Sequence, residues 1–220
     1  MNREHHMRFR RYLMPVTFVL VAAGCTDQTG PSPTTVPAPL AGVVAPPPPP
    51  GTHILRQSPA APRLQTYQVS FWAKRGTSTS VFVNYRRRPG QWIPDPFLRF
   101  RIPINGLVAG ADGVPLARGD SVRITMTIDT VLFNVDFQPS GVLFSSSSPA
   151  QLAIYYENAS PDLNADGIVD AADQVLKDQL AIWTRNSKAG AWKQVGCKND
   201  SSQEVVTAAL YHFSQYAVGW

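Results

Sequence analysis

From residue 64 onward, apolar and polar side chains alternate with period two in one short run after another. That spacing puts successive side chains on opposite faces of a β-strand. Tyr67, Val69, Phe71 and Ala73 alternate with Gln68, Ser70 and Lys74. Val81, Val83 and Tyr85 repeat the pattern, as do Leu98, Phe100 and Ile102 with Arg99 and Arg101 opposed to them. Val122, Ile124, Met126 and Ile128 alternate with Arg123, Thr125 and Thr127. Val131, Phe133, Val135 and Phe137 then resume the alternation, which predicts a sharp bend near Thr130. Further strands are expected within residues 152–156, 180–185, 191–195, 205–211 and 216–220. Pro89-Gly90, Asn105-Gly106, Asp112-Gly113, Pro139-Ser140-Gly141 and Lys188-Ala189-Gly190 punctuate them as turns. About nine or ten short strands with one apolar face each predict a mainly β fold, an antiparallel β-sandwich over residues 64–220.

Ahead of residue 64 the pattern changes. Residues 26–63 hold eleven prolines in 38 positions, including the run from Pro46 to Pro50. Proline fixes φ and donates no backbone hydrogen bond, so this composition favours an extended, core-less stalk over residues 25–63. Residues 1–12 carry Arg3, Arg8, Arg10 and Arg11, and an apolar stretch from Leu13 to Gly24 ends at Cys25. Twelve apolar residues are too few to cross a bilayer as a helix, which needs about 20. They suit the hydrophobic core of an export signal spanning residues 1–24.

Ala22-Ala23-Gly24-Cys25 resembles the lipobox of bacterial lipoproteins, with alanine where leucine is usual three residues before the cysteine. The resemblance implies lipidation of Cys25, which becomes the new amino-terminus, and a lipid anchor in the bacterial cell envelope. Thr26 is not the aspartate associated with inner-membrane retention, which favours the outer membrane or cell surface. Cys197 is then left unpaired; a Cys25–Cys197 disulfide is the competing account.

The net charge of +5 shrinks once this leader is set aside. Four arginines and one glutamate lie within residues 1–24, leaving sixteen basic and fourteen acidic residues from Cys25 onward. That balance excludes a nucleic-acid footprint. Two cysteines also exclude a disulfide-rich scaffold and a four-cysteine metal site.

Two stretches of the β-region resemble known modules. Phe137-Gln138-Pro139-Ser140-Gly141-Val142-Leu143-Phe144 leads to Pro149-Ala150-Gln151-Leu152-Ala153-Ile154-Tyr155-Tyr156. Near the end stand Val206-Thr207-Ala208 and His212-Phe213-Ser214 with Tyr216-Ala217-Val218. These are similar to motifs of bacterial surface β-sandwiches related to the domain shared by netrin receptors and ankyrins. The resemblance implies a structural or interaction module and carries no catalytic residues.

One motif carries chemistry. Asp162-Leu163-Asn164-Ala165-Asp166-Gly167-Ile168-Val169-Asp170-Ala171-Ala172-Asp173 sets oxygen donors at the spacing a calcium loop requires. Asp162, Asn164 and Asp166 occupy positions one, three and five, and Ile168 offers its carbonyl at seven. Asp170 stands at nine and Asp173 at twelve, while Gly167 takes the tight turn at six. Four carboxylates in twelve residues repel one another unless a cation joins them. Val169 is expected to anchor the loop to the core, and a helix from about Ala171 to Gln179 to pack Val175 and Leu176. With aspartate at position twelve and a helix only after the loop, the motif resembles the calcium loop of dockerin modules and EF-hands. No second loop of the pair found in dockerins is present in the sequence. An ion-free acidic turn is the simpler alternative.

The remaining candidates are weaker. Arg86-Arg87-Arg88 before Pro89-Gly90 reads as a solvated hairpin tip, with lipid headgroups or an acidic glycan as the sharper possibility. His212 beside Phe213 reads as a structural hydrogen-bonder, and the five tryptophans mostly as core. A hydrolase would use carboxylates such as Asp112 and Asp120, but in a glycine-rich stretch these read as turn formers. The function expected is non-catalytic: a calcium-stabilised, lipid-anchored structural or interaction module. The alternative is a carbohydrate-binding or polysaccharide-degradation accessory protein.

Overall fold

A computed structural model describes residues 52–187 and 189–220. The expected signal, Cys25 and most of the stalk lie outside these described residues. The described chain is mainly β, as the alternation requires, with thirteen strands and one helix.

The strands in chain order are β1 (Gln68–Lys74), β2 (Thr79–Asn84), β3 (Pro96–Ile102), β4 (Leu107–Ala109), β5 (Ser121–Ile128), β6 (Asn134–Gln138) and β7 (Leu143–Phe144). After β8 (Ala150–Tyr155) comes α1 (Ala171–Asp178), followed by β9 (Ala181–Arg185) and β10 (Lys193–Gln194). The chain closes with β11 (Cys197–Asp200), β12 (Val205–Leu210) and β13 (Gln215–Gly219). One sheet has six strands in the order β1-β5-β6-β13-β9-β10, and a second has five in the order β11-β12-β8-β3-β2. β4 and β7 form a separate pair. Every pairing is antiparallel.

The inward residues are those the alternation selects. Ile124, Met126, Ile128, Val135 and Phe137 come from the first sheet, and Val83, Leu98, Phe100, Leu152 and Ile154 from the second. Their shared core is centred on aromatic rings. Phe100 of β3 lies 5.0 Å from Phe137 of β6 between ring centres, so the contact crosses from one sheet to the other. Phe213, just before β13, stacks on Phe137 at 4.7 Å and meets Phe100 at 5.6 Å and Phe144 at 4.8 Å.

The bend near Thr130 forms as expected. Asp129 makes it, its Oδ1 accepting from the Val131 and Leu132 amides at 2.8 and 2.9 Å. The ending His212-Phe213-Ser214 has a structural use for each residue. Ser214 Oγ donates to the Arg185 carbonyl at 2.5 Å, and Tyr216 Oη donates to the His212 carbonyl at 2.6 Å. His212 Nδ1 lies 3.3 Å from the Phe213 carbonyl, consistent with a structural hydrogen-bonder.

Three expectations need correction. Residues 52–63 were assigned to the stalk by their prolines, yet they run along the sandwich. His53 and Trp220 exchange backbone hydrogen bonds of 3.0 and 3.1 Å, and Leu55 donates to Val218 at 2.9 Å. Leu55 is buried, so one apolar side chain in register with the end of β13, beyond its pairing with β6, outweighs the proline-rich composition around it. Tryptophan is not mostly core. Trp72 and Trp92 are exposed, and Trp183, Trp192 and Trp220 are half-buried. Thirteen strands exceed the nine or ten expected, because β4 and β7 are only three and two residues long and β11 is polar.

Candidate metal centre

The twelve-residue loop follows β8 and runs into α1, with its first turn wrapped around Asp162. Asp162 Oδ1 accepts from the Asp166 amide at 3.2 Å and Oδ2 from the Gly167 amide at 2.9 Å. Gly167 holds φ of 87°, which a side chain disfavours, so the glycine is required by the backbone rather than by space. Ala165 shares the left-handed region at φ 59° without that freedom. Asn164 Oδ1 accepts from the Asp166 amide at 3.0 Å, and Asp166 Oδ1 accepts from the Ile168 amide at 2.8 Å.

The loop then becomes the start of the helix. Asp170 caps α1, its Oδ1 accepting from the Ala172 amide at 2.7 Å. Asp173 completes the capping box by accepting from the Asp170 amide at 2.9 Å. Its other oxygen reaches back across the loop to the amides of Leu163 at 2.7 Å and Asn164 at 3.3 Å. Asp173 is only 3% exposed and so ties the beginning of the loop to its end from inside. Burial opposes its ionisation, but the amides of Asp170, Leu163 and Asn164 outweigh burial and hold its carboxyl below the ordinary aspartate value.

The helix is fastened to the second sheet by residues distant in sequence. Lys177 Nζ pairs with Glu204 Oε1 at 2.5 Å, and Asn199 Nδ2 donates to the Lys177 carbonyl at 2.8 Å. Asn199 also accepts from Tyr156 Oη at 2.9 Å. Burial pushes the Tyr156 phenol up to about 12, with the Glu204 charge adding to the effect. This lattice was invisible in the sequence, because its members stand 22 to 43 residues apart with no periodicity to join them.

Two side chains lie elsewhere than expected. Val169 is 62% exposed and Val175 55% exposed, so neither anchors the loop or helix to the core. Leu163 is the apolar residue that packs against the core from the loop, and Leu180 after the helix is buried in it. A capped two-turn helix held through Lys177 and Asn199 leaves Val175 on its solvent side.

The six expected ligands share one loop, with hard oxygen donors of the kind calcium prefers. Neither described ion pair, Arg88–Asp95 or Lys177–Glu204, uses a loop carboxylate. As placed, the carboxylates turn onto loop amides, and among the described residues no three acidic, histidine or cysteine side chains form a metal-holding group. A carboxylate oxygen that accepts one amide retains a lone pair for a cation. The donor chemistry and the backbone turn fit calcium; the side chains have not closed on a centre.

The other carboxylates weighed are turn residues. Asp112 Oδ1 accepts from the Val114 amide at 3.0 Å and Asp120 Oδ2 from the Ala117 amide at 2.7 Å. A cavity of about 870 Å³ on the outer face of the second sheet is lined by Arg99, Arg101, Gln151, Tyr155, Thr207 and Lys198 among others, with no carboxylate. Cys197 Sγ, half-buried, accepts from the Ile182 amide at 3.4 Å and is a free thiol among the described residues. No helix of the described residues is long and apolar enough to cross a membrane. Comparison with known protein families, curated proteins and solved structures finds no match.

Proposed function

We propose that this protein is a non-catalytic, calcium-binding module of a bacterial cell envelope, lipid-anchored through Cys25 and acting as a structural or interaction domain. The observation that carries the reading is the loop. Donors at positions one, three, five, seven, nine and twelve coincide with a backbone that turns at Gly167 and folds the Asp166 and Gly167 amides onto Asp162. A calcium ion here would supply the positive charge that four neighbouring aspartates lack. Asp162, Asn164, Asp166, Asp170 and Asp173 would hold it with the Ile168 carbonyl. The likeness to netrin-receptor and ankyrin-type sandwiches supports a partner-binding role, and the dockerin-like loop supports the calcium. The lipobox-like segment supports the anchor.

Calorimetry tests the ion. One calcium per chain is expected, with Kd roughly 10⁻⁴–10⁻³ M as in extracellular modules, and with a rise in Tm because the ion binds only the folded loop. Asp162→Ala should remove most of that rise. Asp129→Ala should lower Tm by loosening the bend before β6 yet leave the calcium-induced rise intact. No heat and no thermal shift at about 10 mM calcium would rule the ion out.

Mass spectrometry tests the anchor. Protein from its native host should begin at an acylated Cys25, and Cys25→Ser should release it from membranes, since two acyl chains hold where one does not. A soluble form cleaved elsewhere with a free Cys25 thiol would defeat the anchor while leaving the calcium reading standing.

A further inference from the structure

Between β2 and β3 the chain forms a short tip that carries both arginines and large apolar side chains. Arg88-Pro89-Gly90-Gln91 forms a tight turn, with the Gln91 amide donating to the Arg88 carbonyl at 3.0 Å and Gly90 at φ 81°. The base of the tip is fixed from several sides. Arg88 pairs with Asp95 at 2.6 Å and donates to Asn158 Oδ1 at 2.5 Å. Gln91 also donates to Asp95 through its side chain, and the Tyr85 amide donates to the Asp95 carbonyl at 2.9 Å.

On this braced turn Trp92 is 91% exposed and Ile93 79% exposed, the two most exposed large apolar side chains among the described residues. Arg86 and Arg87, also exposed, lie on the segment that leads from β2 into the turn. Arg87 Nη1 reaches the Trp92 carbonyl at 3.5 Å, which ties its guanidinium to the backbone of the tip. The one carboxylate of the tip, Asp95, is already taken by Arg88.

We infer that this tip is a membrane-contact site that inserts Trp92 and Ile93 at the interface of an anionic lipid bilayer while Arg86 and Arg87 engage lipid phosphates. The chemistry favours lipid over other occupants. An indole is at home where apolar and hydrated layers meet, and adjacent arginines match headgroup phosphates that lie just above that depth. A braced loop lowers the ordering cost of insertion. Two neighbouring apolar side chains make a wedge rather than the broad patch that a protein partner buries. The contact is independent of acylation and of calcium, so it stands or falls apart from the function proposed above.

The test uses the full chain carrying Cys25→Ser, which cannot be acylated, in EDTA, so that neither anchor nor ion contributes. Sedimentation with phosphatidylcholine vesicles, with and without phosphatidylglycerol, compares the intact tip with Trp92→Ser/Ile93→Ser and with Arg86→Ala/Arg87→Ala. Any binding by the amino-terminal segment is common to all three chains. Losing the apolar pair should lower partitioning at least about tenfold on both vesicle types. Losing the two arginines should lower it about 25-fold on anionic vesicles and little on neutral ones, at roughly fivefold per cation. Unchanged melting confirms that the variants are folded, as expected for exposed side chains. Equal partitioning of all three chains would overturn the inference. So would displacement by inorganic phosphate with no need for Trp92, which would make the tip a free-anion site. A dimer that the Trp92→Ser/Ile93→Ser chain no longer forms, seen by light scattering, would assign the tip to a second copy and equally overturn it.

Discussion

Phe213→Ala is expected to cost about 3–5 kcal/mol of unfolding free energy and to lower Tm by on the order of 10 °C. The ring is 1% exposed and touches Phe100, Phe137 and Phe144, which come from both large sheets and from the small β4-β7 pair. Its removal leaves a void that three separate elements border, and none can collapse into it without parting from its own hydrogen-bonded neighbours. The backbone bonds of residue 213 to Val142 and Gly141 survive the substitution, so the loss reports the ring alone. Chemical denaturation measures it, with Trp92→Ala as the surface reference at about 0.5 kcal/mol or less. A cost under about 1 kcal/mol would mean that the aromatic centre repacks freely and does not join the layers.

Asp173→Ala is expected to be the most damaging change in the loop, at about 2–3 kcal/mol even without calcium, because three amides lose a shared, buried acceptor together. The same carboxylate sets an acid limb. Its folded pKa lies below the unfolded value, so its contribution is complete above the ordinary aspartate range near 4 and is lost as pH falls through the depressed folded value. Melting of the wild-type and Asp173→Asn proteins in EDTA should therefore differ most at neutral pH. The two curves should converge as pH drops below about 4, where the wild-type carboxyl takes up its proton. A difference that stays constant from neutral pH to pH 3 would show that the charge of Asp173 does not matter to the fold.

Much of the sandwich was legible because its strands are long enough to alternate. β1, β3, β5 and β12 put into the core the residues that a two-residue period selects, and Asp129 turns the chain where the pattern breaks. The signal fails where a strand is too short to show a period, as in β7, or where it is an edge with little to bury, as in β11. The segment at residues 53–57 failed for another reason. The prolines on either side of it, Pro50 and Pro59, describe local stiffness, while its place is decided by Leu55 and by donors and acceptors on Trp220 and Val218 that no local reading can see. Within the loop, spacing picked out the aspartates that turn onto loop amides, Asp162, Asp166, Asp170 and Asp173. It did not show that Asp173 would be buried as an internal clasp, nor that Val169 would face solvent, since both follow from how α1 is tied to Glu204 and Asn199.

The segment at residues 53–57 has a mechanical consequence as well. Any tension arriving along the chain at residue 52 meets first the paired amides of His53 and Trp220, then the bond from Leu55 to Val218. These bonds lie in series from the outside inward, and the stacked rings of His53 and Trp220, 5.6 Å apart, sit over the outermost of them. A steady pull therefore opens a short zipper one bond at a time. The segment is thus expected to yield before the load reaches Phe213 and the rings around it.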